Sequence, residues 1–216
     1  MSIIAYYVHV DGAQLQAVRE QPALVWNINS DPKFAKAALF DIDKDYDVLA
    51  WLLSEKKRKE QVRQVANYQA IRRDIASGKS LDKAEFDRVE AEELERLGAK
   101  PEDTDALPTD AALEAIEGRG TPSQRDPKLN LGMGAARLFK PEEVKKLSAA
   151  LNRVRDADLR RTFDRKTMAK LDVGGIGWLQ EPDSVLDEFL IPAFHRLRAF
   201  YADAAKRGHY VFVVYQ

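Results

Sequence analysis

Ile3-Ile4-Ala5-Tyr6-Tyr7-Val8-His9-Val10 runs into Asp11-Gly12 near one end of the chain, and His209-Tyr210-Val211-Phe212-Val213-Val214-Tyr215 lies near the other. Both runs are built from β-branched and aromatic residues, and Asp-Gly is a turn signal, so both predict strands. Nearly everything between them repeats at the helical period. Strand, helices, strand is the order of an α+β domain. The expectation is a small sheet containing the N- and C-terminal strands, packed by several helices.

Working inward, residues 13–20 predict a short helix, and Asp31-Pro32 is a plausible helix start. Residues 40–53 place apolar side chains at 42, 46, 49, 50, 52 and 53, with acids ahead of them where a helix dipole favours negative charge. Pro141 suits the first position of a helix over 141–154, with Glu142 and Glu143 in its first turn. Residues 156–171 predict one or two short helices, and 172–178 a glycine-rich loop. Residues 184–207 carry the strongest helical period in the chain, and Pro192 predicts a kink or break within it.

The segment 55–98 reads as two helices of opposite charge. Residues 55–79 hold eight basic and three acidic residues, and 81–97 hold three basic and seven acidic. Val62, Val65, Tyr68, Ile71 and Ile75 form one stripe; Phe86, Val89, Leu94 and Leu97 form the other. Gly78 and Gly98 stand where left-handed C-caps occur. An antiparallel helical hairpin is expected. Residues 99–127, rich in proline, read as a linker with one short helix at 109–117. The whole chain is expected to be a single α+β domain, 1–216, with 55–127 inserted as a charged hairpin and loop.

The 216 residues suffice for one domain with an elaboration. With 34 basic and 35 acidic residues, the chain lacks the basic excess of a general nucleic-acid binder. No cysteine is present, which excludes disulfides, thiolate metal sites and cysteine nucleophiles. The three histidines, His9, His195 and His209, leave little for a metal centre. Uncharged runs reach only about ten residues, too short for a membrane span. The start has no basic region or small-residue cleavage site, so a cytoplasmic protein is expected.

Four segments in order resemble the YfbM-like family, a bacterial family named as a domain of unknown function. They are Phe40-Asp41-Ile42-Asp43-Lys44 with Trp51-Leu52-Leu53; Leu131-Gly132-Met133-Gly134-Ala135-Ala136-Arg137-Leu138 with Pro141-Glu142-Glu143-Val144; Leu159-Arg160-Arg161 with Phe163-Asp164 and Met168; and Leu197-Arg198-Ala199-Phe200-Tyr201 with Ala204-Ala205 and Gly208-His209. The resemblance covers roughly 1–54 and 128–216. It implies an α+β fold, a bacterial cytosolic protein and no established activity. The long segment 55–127 and the glycines at 174–177 depart from the family pattern.

Asp41, Asp43, Asp45 and Asp47 alternate like calcium-loop ligands. However, Tyr46 stands where such a loop needs glycine, and Leu52 where it needs a bidentate glutamate. A strand followed by Asp-x-Asp would instead make Asp41 a nucleophile and Asp43 an acid. The plainer alternative is helix capping by either residue. Gly132 and Gly134 before Arg137 offer a weak phosphate-loop pattern, without the lysine and Ser/Thr of a P-loop. The plainer alternative there is a tight turn with Arg137 in a salt bridge. Asp41, Asp43, Gly132, Gly134, Arg137 and Trp178 are thus the candidate ligand-binding residues, and the hydrolase reading requires them to share a pocket. His9 and His209 can be neighbours across two strands, and His195 is expected to face solvent. Lys56, Lys57, Arg58 and Lys59, with Glu92 and Glu93, are the candidate partner-binding residues.

No cofactor or metal motif stands out. The expectation is a non-enzymatic module that binds another protein, of immunity or antitoxin type, with no nucleic acid or membrane partner. The alternative is a small hydrolase or ligand-binding protein.

Overall fold

The first predicted strand, β1 (Ala5–Val10), is buried at every residue but Tyr6. It sits inside the sheet, between the edge strand β2 (Ala38–Asp41) and β5 (Tyr210–Tyr215), the second predicted strand. Tyr7 faces Val213, and Val8 faces Phe212, across the antiparallel β1–β5 pair. A strand covered on both faces has no polar alternation, which is why both terminal runs are almost wholly apolar. β4 (Ala135–Phe139) flanks β5 on its other side, and β3 (Arg125–Asn130) forms the far edge. All pairings are antiparallel, in the order β2-β1-β5-β4-β3.

The computed structural model describes residues 3–34, 37–42, 45–77, 82–98, 110–118, 125–131 and 134–216. One sheet face, with Tyr7, Phe139, Val211 and Val213, packs under the main helical layer. That layer is built from α2 (Asp45–Leu53), α5 (Ala111–Glu117), α6 (Pro141–Arg153) and α9 (Ile191–Arg207). The opposite face, with Val8, Phe212 and Val214, is covered by α1 (Gly12–Glu20) and the 3-10 turns that follow, through Leu15, Val18, Val25 and Phe34. The sheet is the middle of three layers.

Local signals explain most element ends. Asp11 and Gln14 form a reciprocal capping box on α1. Pro141 opens α6 and the Glu143 carboxylate accepts the Lys140 N–H. The predicted break before Pro192 is a π-helical turn, Leu186–Leu190, leading into α9. α7 (Asp156–Thr162) and α8 (Arg165–Lys170) are the two short helices expected over 156–171.

Four expectations need correction. Residues 38–41 form the edge strand β2, so the helix read over 40–53 begins only at Asp45. Strands β3 and β4 have no counterpart in the sequence reading. β3 is Arg-Asp-Pro-Lys-Leu-Asn, and such charged, proline-bearing runs survive only at a sheet edge, where they also discourage aggregation. The short helix expected at 109–117 is present as α5, but the segment does more than link, because α5 buries Leu113, Ala115 and Ile116 against α2 and α6. The hairpin of α3 (Glu55–Ser77) and α4 (Lys83–Leu97) is present, but α3 meets it with a different face. Ala66 and Ala70 are fully buried, whereas Tyr68, Ile71 and Ile75 lie exposed. Small residues let two helix backbones approach closely, and the closer approach selects the alanine face.

Candidate functional site

The predicted ligand residues that are described do not share a pocket. Asp41 is the exposed end of β2, opposite Tyr6 and on the sheet face that α1 covers. Arg137 is opposite Val213, on the face under the main helical layer. The sheet itself separates them. Trp178 is a core residue, 1% exposed, whose ring N–H donates to the Val173 carbonyl at 2.7 Å and whose edge meets Phe163. Gly134 belongs to the β3–β4 connection and takes a positive φ of 105°. Asp43 and Gly132 lie outside the described residues. Gly134 leads into β4, so a phosphate loop there lacks its helix.

Arg137 is instead one wall of a different cleft, of about 320 Å³, between the sheet and the bases of α2 and α3. Its Nη1 donates to the Glu117 carbonyl at 2.9 Å, and its guanidinium lies 4.5 Å from the Tyr215 ring centroid. It forms no ion pair among the described residues, contrary to the salt bridge expected from sequence. Tyr46 meets Tyr215 edge to face at 5.3 Å. Behind them, Lys57 Nζ sits 2.6 Å from Asp47 Oδ1 and 2.7 Å from Glu117 Oε1. Asp47 Oδ2 accepts the Gly174 N–H at 3.1 Å. Burial alone lowers the Lys57 pKa, but Glu117 and Asp47 outweigh it and hold the ammonium charged. Burial, then the Asp47 charge, raise the Tyr46 pKa and keep that phenol protonated.

The cleft floor is the C-terminal end of α5. Tyr7, Tyr201 and Tyr215 each donate a phenolic hydrogen to one of its last carbonyls, those of Ile116, Ala115 and Glu117 respectively. These are acceptors that a helix end leaves unpaired. Burial holds the Tyr7 and Tyr201 pKa values well above the usual range, so both remain donors. The short helix expected at 109–117 is α5, but nothing in the sequence pairs its last carbonyls with tyrosines from β1, α9 and β5.

His9 and His209 do meet, as their strand positions allow. Their Nδ1 atoms are 3.0 Å apart, and His9 Nε2 lies 3.4 Å from Asp203, which also binds Arg207. If His9 presents Nε2–H to Asp203, its Nδ1 accepts from His209. Burial, then the His209 charge, lower the His9 pKa to about 4; burial also lowers that of His209. His195 bonds Asp156 at 2.7 Å and is partly covered. Among the described residues no group of three or more His, Asp or Glu side chains is placed to hold a metal ion.

The basic run assigned to partner binding is split. Lys57 is consumed in the cleft, the Arg58 guanidinium closes the Trp51 and Leu52 carbonyls, and Lys59 pairs with Glu55. Lys56 is half-buried. Glu93 is 2% exposed between Arg73 and Arg96, and Glu92 pairs with Arg88 and Arg73. What the hairpin shows outward is the Tyr68, Ile71 and Ile75 stripe.

With this geometry in view, the likenesses to other proteins fall into place. Residues 120–214 match the family model of a domain of unknown function, DUF1877. The fold is that of the YfbM-like class of α+β domains. The crystal structure of YfbM, a protein of unknown function from Escherichia coli, superposes with a TM-score of 0.51 over 98% of each chain at 13% identity. At that identity the likeness shows the fold alone. No curated protein matches the sequence. No described helix is long and apolar enough to cross a membrane.

Proposed function

We propose that this protein is a non-enzymatic module that binds another protein, of immunity or antitoxin type, through the outer face of α3. One observation carries the reading. Tyr68, Ile71 and Ile75 are 58%, 43% and 74% exposed on one stripe of a helix whose other side is closed by α4. Large apolar side chains clustered on a surface mark contact sites, and scattered single ones do not. Arg72 stands beside the stripe over the Tyr68 ring, and no carboxylate among the described residues pairs with it. Tyrosine, isoleucine and an unpaired arginine make a contact core that suits a partner with an apolar patch bordered by acids. The hydrolase alternative has less support, because Asp41 and Arg137 lie on opposite sheet faces.

The test is a triple substitution, Tyr68→Ser, Ile71→Ser and Ile75→Ser, compared with the native chain in affinity purification from cells that express it. All three side chains are exposed, so thermal stability should change little. One stoichiometric partner with an acidic surface should be held by the native chain and lost by the variant. Equal recovery by both would end the assignment. So would concentration-dependent self-association of the native chain that the variant abolishes, since the stripe would then be a homodimer surface.

A further inference from the structure

A second surface feature is independent of the hairpin. The cleft beside Arg137 is lined by three groups with hydrogen-bond donors left over. The guanidinium has five N–H hydrogens, and its only hydrogen bond among the described residues is to the Glu117 carbonyl. The Tyr46 hydroxyl has no hydrogen-bond partner among the described residues. Lys57 carries three N–H donors and uses two, on Asp47 and Glu117. The walls are otherwise apolar, from Ile3 and the rings of Tyr46 and Tyr215. Arg137 is fixed between a carbonyl and a ring face, so it would surrender little side-chain entropy to a ligand.

We propose that this cleft binds a small, singly charged carboxylate with a flat apolar body, its carboxylate on Arg137 and Tyr46 and its body against Ile3 and the tyrosine rings. The charge balance selects the class. Among the described lining residues, Arg137 and Lys57 are matched one for one by Asp47 and Glu117, so that lining is neutral. A single negative charge meets a guanidinium that has no carboxylate of its own. A phosphate dianion would also face the Asp47 and Glu117 carboxylates and be penalised. A planar carboxylate further matches the fork of a guanidinium, which favours two parallel N–H···O bonds. The cleft, at about 320 Å³, is at the small end of ligand sites and admits a single-ring compound.

The experiment is an amide and Arg side-chain NMR titration of the full chain with three probes: sodium benzoate, benzamide and inorganic phosphate. Benzoate should bind saturably and shift signals around Tyr46 and Arg137. Benzamide, the same shape without the charge, should bind at least about tenfold more weakly, because charge-assisted bonds are the stronger ones. Phosphate should be weaker than benzoate. Arg137→Met should weaken benzoate at least about tenfold, and Arg137→Lys should restore part of that loss. Tyr46→Phe removes one donor from a group that supports no other contact through its hydroxyl, and should weaken benzoate severalfold without disturbing the fold. Benzamide binding as well as benzoate would make the cleft merely apolar and overturn the proposal. Tighter phosphate binding, no saturation by benzoate, or unchanged benzoate affinity in both Arg137→Met and Tyr46→Phe would overturn it too.

Discussion

His9 and His209 stand 200 positions apart in the sequence and share one hydrogen bond, Nδ1 to Nδ1, at 3.0 Å. Such a bond survives one proton on the pair and fails with two, because both Nδ1 atoms would then be donors. Phe200 packs on His9; Asp203 and Arg207 of α9, and Asp11 ahead of α1, are the charged groups around the pair. Folded His9 titrates at about 4 against an ordinary 6.5, so the unfolded chain binds more protons between those values. Stability is therefore complete above about pH 6.5 and falls as pH drops toward 4, by up to about 3 kcal/mol from this residue. Urea unfolding at pH 7.5 and 4.5 should show the loss in the native chain, and a smaller loss in His9→Asn. Equal losses in both would remove the pair from the acid response. At the same scale, Trp178→Ala should destabilise by about 3–5 kcal/mol, as core aromatic truncations do, measured by denaturant midpoint. A loss under about 1 kcal/mol would return Trp178 to the list of ligand residues.

Among the elements, α5 has the most consequence for its length. Its last three carbonyls are held by tyrosines from β1, α9 and β5, and its Glu117 side chain holds Lys57 at the base of the hairpin. Tyr201→Phe leaves the buried Ala115 carbonyl without its partner and should cost about 1–3 kcal/mol. Gly118 is a sharper case. It takes φ 55°, and a Cβ there would stand 2.8 Å from the Val213 Cβ. Gly118→Ala should therefore cost more than the roughly 1–2 kcal/mol of left-handed strain alone, and Gly98→Ala, with open space around it, only that strain. Thermal unfolding of both variants checks the difference, and equal losses would mean that α5 does not press on β5. Strongly patterned elements were legible: β1, β5, α6 and α9 follow from apolar runs, Pro141, Gly208 and the helical period. Among the short ones, the helices α5, α7 and α8 were expected, but the strands β3 and β4 were not. β3 carries no strand propensity, so only the packing of its neighbours makes it regular. On α3 the periodicity offered one stripe through Tyr68, Ile71 and Ile75, and the buried apolar positions are Ala66 and Ala70 instead.

For the whole molecule, the three layers share one sheet, and the hairpin is tied to it through Lys57, Asp47 and Glu117. A chain lacking 55–127 loses α5, Lys57 and the first residues of β3 together. It should lose cooperative thermal unfolding altogether, and sharp unfolding of that deletion would show the sheet to be self-sufficient. The site was less legible than the fold. Among the described residues, Arg137 is the one predicted ligand residue that lines the observed cleft, and its companions Tyr46 and Tyr215 stand 91 positions before it and 78 after it. Sequence proximity pointed to Asp41 and Gly134, but strand pairing places Asp41 on the wrong side of the sheet.

The pairing of β1 with β5 also sets a timetable. Ile4 and Gln216 exchange both backbone hydrogen bonds, so β1 leaves the ribosome roughly 200 residues before β5, one of its two neighbours in the sheet. At translation rates of about 5–20 residues per second, β1 waits roughly 10–40 s with an apolar edge open. β2 can shield only its other side. Until β5 is made, that open edge is the kind of apolar surface that chaperones hold, and the gap between β1 and β4 stays unfilled.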